Sequence, residues 1–433
     1  MADNVFSYVN AIVNLSTHRV CLLTSFGNIP DELDLARFDV IAVHFTLVIS
    51  NDLYVSPKMR KRIAKSSALK AIFIQDEYRF VDRTVSALEE IGADILFTCV
   101  ADEEVEKVYP RNKLPQLTKI NVLTGYVDEE LFKFAPPLIK DREIDIGYRS
   151  RRVPEWLGRL GQEKVNIGKL VEKDCRKYGL ISDISNREEG RLYGQNWINF
   201  LMETKATLGV ESGSSVFDFT GEIQREVENH IMKDLDVSFD ALSNKFFKDQ
   251  EGLIKLNQIS PRCFEAAALK CLMILYEGEY SGRLIPWRHF VPLKKDHSNM
   301  DEVVSVLRDW TKCQEIVDRT FYEVAQSYDN SFSSLVAIFD KALCEKFESL
   351  ENVPVIAKYS ELELSQVTRK NLNWRLNKVK QRLFFATYQF VLGRLLRNLD
   401  DEKHWRVKLT FVKYVRPIYR LSRKVVLFLT TIK

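Results

Sequence analysis

The chain is poor in the residues that mark fibrous, low-complexity or disulfide-stapled proteins. Its 433 residues include 17 Gly and 12 Pro, too few for a collagen-like or repetitive chain. Seven Cys, at positions 21, 99, 175, 263, 271, 313 and 344, form no CxxC pair and are odd in number. That argues against a disulfide framework or zinc ribbon and fits a reducing cytoplasm. No apolar run approaches the ~18–20 residues that span a bilayer, and the opening MADNVFSYVN lacks the basic start of a secretory signal. There is no GxGxxG fingerprint, and Gly168-Lys169 lacks the glycine spacing of a phosphate-binding loop. The six His show no paired metal spacing. A lone DxD, Asp234-Leu235-Asp236, follows a helical stretch rather than a buried strand. No metal and no cofactor is expected. What remains is ordinary globular composition, 45% hydrophobic and 28% charged, at a length that predicts two or three domains.

Short apolar runs recur along the first 135 residues: Val20–Thr24, Val40–His44, Ala71–Ile74, Ile95–Thr98 and Ile120–Val122. Continuous apolar runs suit strands buried on both faces of a parallel sheet. Charged helical stretches such as Pro57–Ser67 and Asp82–Ile91 separate them. This rhythm predicts a doubly wound α/β domain over residues 1–135. FAPPLIKD (134–141) reads as a linker. A second alternation covers 143–300, with strands at Ile144–Tyr148, Leu180–Ile184, Gly252–Gln258 and Leu272–Tyr276. Its helices are placed at Glu163–Lys177, Trp197–Leu208 and Pro261–Lys270. Residues 301–368 read as bracing helices without strands. The expected fold is therefore α/β, with two Rossmann-like doubly wound domains facing across a cleft and a helical basic C-terminal extension.

Ligands of open α/β sheets bind beyond the carboxyl ends of the strands. In the second domain those places hold Arg149, Arg151 and Arg152, the loop Gly209–Ser215 with Glu211 and Ser214, then Ser260-Pro261-Arg262, and Glu277–Ser281 with Glu279 and Tyr280. Ser260 is a good N-cap and Pro261 a favoured first helical residue. The free amides of such a helix attract an anion. Arg149 and Arg152 suit bidentate clamping of a diphosphate, and Glu265, one turn in, suits two ribose hydroxyls. The alternative is an acid stabilising its own helix beside solvated arginines. In the first domain, Asp76, Glu77 and the lesser candidate His44 end strands where a general base would face the cleft.

The stretch ISPRCFEAAALKCLMILYEGEYSGRLIPWRHFVPLKKDHSN (259–299) resembles the C-terminal domain of group 1, family 4-like glycosyltransferases with the GT-B fold. The carrying pattern is Arg262, Phe264, Glu265 and Ala266, followed by Glu277–Ser281. LGVESGSSVFDFTGE (208–222) is similar to a donor-domain loop of the polysaccharide- and O-antigen-assembly members. The resemblance covers about residues 143–310. It implies that Glu265 holds the ribose of a nucleotide-diphosphate sugar and that the 277–281 loop faces the sugar diphosphate. Asn257 stands where many retaining members carry a second glutamate, so the E-x7-E signature is half present and the stereochemical outcome stays open. Lys270-Cys271 replaces the small residue that normally follows the helix.

Residues 369–433 carry 17 basic and 3 acidic groups, a net of +14, while the other 368 residues sum to −11. Leu372, Leu376, Val379 and Leu383 form a helical apolar stripe, with Arg375, Lys378 and Arg382 on another face. A basic amphipathic tail with aromatic residues suits an anionic membrane surface rather than nucleic acid. Packing on the protein's own acidic body or on a protein partner is the alternative. The expectation is a metal-independent glycosyltransferase on the inner face of the cell membrane. It would act on a nucleotide-sugar donor and a glycan or lipid-linked acceptor. A non-catalytic binding protein that tethers an assembly complex is the second reading.

Overall fold

The computed structural model describes residues 3–349 and 358–370, apart from 24, 26, 188, 189 and 235. The basic tail expected at 369–433 therefore lies outside the described residues beyond 370. The described residues form an α/β protein built on two parallel sheets. The first contains β1 (Val40–Val43), β2 (Leu69–Phe73), β3 (Ile95–Thr98) and β4 (Thr118–Asn121), side by side in chain order and all parallel. The second contains β5 (Ile144–Arg149), β6 (Ser182–Ser185), β7 (Thr204–Gly209), β10 (Leu272–Tyr276) and β11 (Val291–Leu293), in the order β11-β10-β7-β5-β6 and again all parallel. Between β7 and β10 the chain adds an antiparallel ribbon of β8 (Ser212–Ser214) and β9 (Leu256–Gln258).

The apolar runs become central strands because both of their faces are covered. Ile72 and Leu96 pack with Met59, Ile63, Val85 and Leu88 from the helices Pro57–Ala64 and Val81–Ile91. Ala71, Phe73, Ile95 and Phe97 point the other way. That face is covered from the two distant ends of the described chain, by the helices Asp3–Leu15 and Phe332–Glu348. Tyr8 sits 5.8 Å from Phe73, Phe73 stacks on Phe97 at 4.3 Å, and Phe97 meets Phe339 at 5.7 Å, all centroid to centroid. The same apolar core continues into Phe264, Ala267, Met273 and Leu275 of the second half.

Three sequence expectations need correction. Residues 20–23 form no strand, and Leu22 is 63% exposed; apolar content there does not come with a sheet neighbour. The helix placed at Trp197–Leu208 is a helix over Gln195–Glu203 followed directly by β7. No Gly or Pro marks that change. The buried guanidinium of Arg142 does, accepting no water-facing role and instead donating to the carbonyls of Leu201 and Thr204 at 3.1 and 2.9 Å. It also reaches Pro137 and Leu269, so FAPPLIKD is held against the second half. The helix Asp3–Leu15, absent from the sequence reading, is legible afterwards in the spacing of Tyr8, Ala11 and Ile12.

In the second sheet the strand order reverses between β5 and β7, which makes a crevice beyond their carboxyl ends. The carboxyl end of the first sheet meets it there. Thr124 donates to the Ile259 carbonyl at 2.5 Å, Gln258 donates to the Cys99 carbonyl at 2.6 Å, and the Asp218 amide donates to the Tyr78 carbonyl at 2.8 Å. Among the described residues no helix is long and apolar enough to cross a membrane.

Candidate active site

The two carboxyl ends enclose a cavity of about 470 Å³. The first half contributes Gln75, Asp76, Tyr78 and Thr124. The second contributes Arg151 from the loop after β5, Lys164 from the helix Gly158–Tyr178, Gly209 and Val210 after β7, and Ser260 to Cys263 at the start of the helix Pro261–Ala268. Arg191 and Trp197 complete that wall. Four of the lining side chains are cationic, against one carboxylate, Asp76.

The helix start behaves as its sequence suggests. Ser260 is extended, its hydroxyl accepts from the Arg262 amide, and Pro261 occupies the first turn. In the longer helix Gly158–Tyr178 the first amides are already taken, Arg159 N–H by Glu251 at 2.5 Å and Leu160 N–H by the Ser215 hydroxyl at 3.2 Å. The helix beginning at Ser260 has its first amides engaged as well: Pro261 has no N–H, the Arg262 amide is taken by the Ser260 hydroxyl and the Cys263 amide donates to the Ser260 carbonyl at 2.9 Å, so the charge on this wall comes from side chains. Arg262 lies over the Trp197 ring at 4.9 Å and donates to the Arg149 carbonyl. Lys164 is half-buried. Burial above all, then the charges of Arg151 and Arg262, push its pKa down to about 8, with Asp76 opposing the shift.

The other expected donor-side residues take different places. Arg149 still belongs to β5. Its guanidinium pairs with Asp183 at 2.6 Å and lies over Phe200, away from the cavity wall. Arg152 pairs with Glu155 at 2.8 Å. Arg151, between them, is the arginine of that loop that lines the cavity. Glu211 is buried and holds the loop after β10: it accepts from the Glu279 and Tyr280 amides at 3.0 and 2.9 Å and from Asn257 at 2.7 Å. Ser214 is buried and donates to the Leu157 and Val216 carbonyls; Ser212 and Gly213 line the cavity in its stead. Glu279 pairs with Lys255 at 2.7 Å on the surface. Tyr280 is buried and donates to the Tyr276 carbonyl at 2.6 Å. Glu265 does not line the cavity; it accepts the Trp197 indole N–H at 2.7 Å and so fixes a residue that does.

On the acceptor side, Asp76 lines the cavity and accepts from the Tyr78 hydroxyl at 3.1 Å. Glu77, expected beside it, points into the protein. Its carboxylate accepts from Thr98 Oγ1, Tyr109 Oη and the Cys99 amide at 2.5, 2.5 and 2.6 Å. Burial pushes its pKa up to about 7 against the pull of those three donors. His44 is also off the cavity. Its Nδ1 meets Thr46 Oγ1 at 3.0 Å, the ring packs on Phe45, and burial pushes its pKa down to about 4.

No protein-family model matches the chain, and no match is found among curated proteins. Among solved structures the chain is similar to TarM, at 12% identity and a TM-score of 0.40, over 70% of this chain and 54% of TarM. It thus spans about half of TarM's length. It is similar to HepE from Anabaena, solved in complex with UDP-glucose, at 10% identity and a TM-score of 0.39, over 72% and 79% of the two chains. It is also similar to an alpha-glucosyltransferase solved with UDP-glucose and DNA containing an abasic site, at 11% identity and a TM-score of 0.42, over 78% and 84%.

Proposed function

We propose that the protein is a glycosyltransferase that moves a sugar from a nucleotide-diphosphate donor to an acceptor hydroxyl. The observation that carries this reading is one cavity with Arg151, Lys164 and Arg262 on one wall and Asp76 on the other. The cationic wall suits the diphosphate. Charge that builds on the leaving group is met by guanidinium and ammonium groups held in place before reaction. Asp76 suits the acceptor side, where a carboxylate takes the proton of the attacking hydroxyl. Trp197, fixed by Glu265 and covered by Arg262, is a platform for the nucleoside. In this reading the charge balance is supplied by side chains without a catalytic metal. The acceptor is a glycan or lipid-linked saccharide, in keeping with the sequence resemblance to polysaccharide-assembly enzymes. The basic tail holds the protein on an anionic membrane surface.

A thermal-shift screen of UDP-, GDP-, ADP- and CMP-linked sugars tests this, since a ligand of the native state raises its apparent stability. A diphosphate-linked sugar should raise the melting temperature and be slowly hydrolysed, and Arg262→Ala should lose both effects. No shift and no hydrolysis with any of these donors would reject the reading.

A further inference from the structure

Arg151, Lys164 and Arg262 come from three different elements and converge on one cavity. Among the described residues the carboxylates nearby are engaged or distant from Lys164. Glu163, its chain neighbour, pairs with Lys295 at 2.5 Å. Glu211 is held by Asn257 and two backbone amides. Asp76 stands on the opposite wall with Tyr78. Tyr148, which also lines the cavity, directs its hydroxyl to the Lys164 carbonyl at 2.9 Å and leaves the ammonium alone. The Lys164 ammonium thus makes no ion pair or hydrogen bond among the described residues. Like charges in a half-buried space repel. A guanidinium cannot shed its proton in this range, whereas an amine can.

We propose that this cluster is a proton-linked diphosphate site, in which Lys164 is partly neutral while the cavity is empty and takes up the missing fraction of a proton as a diphosphate enters. This rests on the donor-site reading above. The proton comes from solvent, the amine becomes an ammonium, and no covalent bond forms. Two negative charges replace the repulsion from Arg151 and Arg262 by attraction, so the bound lysine returns toward an ordinary pKa of ~10.4. Because the empty lysine titrates at about 8, the competent, fully cationic cluster is the major form below that pH and the minor form above it. Apparent affinity falls with the competent fraction. The site therefore favours dianionic diphosphate esters, and it does so most strongly on the acidic side of pH 8.

Calorimetric titration of the full chain tests this, with UDP-glucose, GDP-mannose and ADP-glucose as probes in buffers of different ionisation enthalpy. The diphosphates of these probes do not titrate in the range used. With a free lysine at about 8, uptake should be about 0.7 proton per bound ligand near pH 8.5 and about 0.1 near pH 7, with affinity about fourfold weaker at the higher pH. Lys164→Arg should bind with neither uptake nor that pH dependence, at an unchanged melting temperature. Lys164→Gln should bind more weakly and also without uptake. Binding without proton uptake by the wild type, or uptake that persists in Lys164→Arg, overturns the proton linkage and leaves the donor site standing. Failure of all three probes to bind overturns the donor-site reading and the linkage with it.

Discussion

The guanidinium of Arg262 donates to the main-chain carbonyl of Arg149, across the crevice where the order of the second sheet reverses. That contact ties the start of one helix to the end of β5, and it sets Arg262 over Trp197. Arg262 therefore shapes the cavity as well as charging it. Arg262→Ala should weaken nucleotide-sugar binding by about 1.5–3 kcal/mol, the range for hydrogen bonds to charged groups. Arg262→Lys should recover only part, because a point charge cannot serve the carbonyl and an anion as a planar fork does. Titration calorimetry on the three proteins checks the order.

Asp76 is exposed in the cleft and lines the cavity beside Tyr78. If it takes the acceptor proton, Asp76→Asn should lower turnover about 10²–10⁴-fold while donor affinity changes little. His44→Ala and Glu77→Gln should keep donor hydrolysis within about tenfold of the wild type, since neither lines the cavity. A reversed ranking in steady-state assays would sink the assignment of Asp76.

Glu77 makes a separate prediction about stability. Its folded pKa, about 7, lies above its ordinary value of 4.5 because burial outweighs three hydrogen bonds. A raised acid pKa means that the native state holds the proton more tightly than the unfolded chain. The associated stability is fully present below pH 4.5 and is lost as pH rises through 7, by on the order of 3 kcal/mol. Urea denaturation between pH 5 and pH 8 should show that loss in the wild type. Glu77→Gln, which has no proton to release there, should flatten the curve.

The tail prediction follows from charge. Residues 369–433 carry a net +14, and each Lys or Arg near an anionic leaflet contributes ~1 kcal/mol. The full chain should sediment with anionic liposomes, less completely at high salt. A chain ending at Lys370 should remain in solution. The cut belongs there because Tyr359 is buried and its Oη accepts from the Asp34 amide at 2.9 Å, and Glu363 pairs with Arg37 at 3.2 Å. Equal sedimentation of both chains would assign the tail to internal packing or a protein partner.

The strands of both sheets were legible where apolar runs are buried on two faces, as in Ile95–Thr98 and Leu272–Tyr276. The helix start at Ser260-Pro261 was legible because its chemistry is local. Which arginine of the loop after β5 lines the cavity was not. Strand side chains alternate, and β5 runs on through Arg149, so the residue after the apolar run still points sideways at Phe200 and Asp183. Lys164 gave no signal at all, since it lies within a helix and reaches the cavity only through that helix's placement. Glu211 and Ser214 sit in a loop whose composition suggested ligand contact. The loop instead pairs with β9, which turns Ser214 inward and leaves Ser212 and Gly213 at the cavity.

The helix Phe332–Glu348 covers one face of a sheet made from residues 40–121. During synthesis, Phe73 and Phe97 emerge more than two hundred residues before the helix that shields them. The first half therefore leaves the ribosome with this aromatic face covered only by the helix Asp3–Leu15, and the rest waits for the second half to be made. Domains usually fold as units, N-terminal first, and unshielded apolar surface invites aggregation. Here the nascent chain needs protection until Phe339 arrives, and a fragment cut between the halves would leave the part of that face under Phe339 exposed permanently.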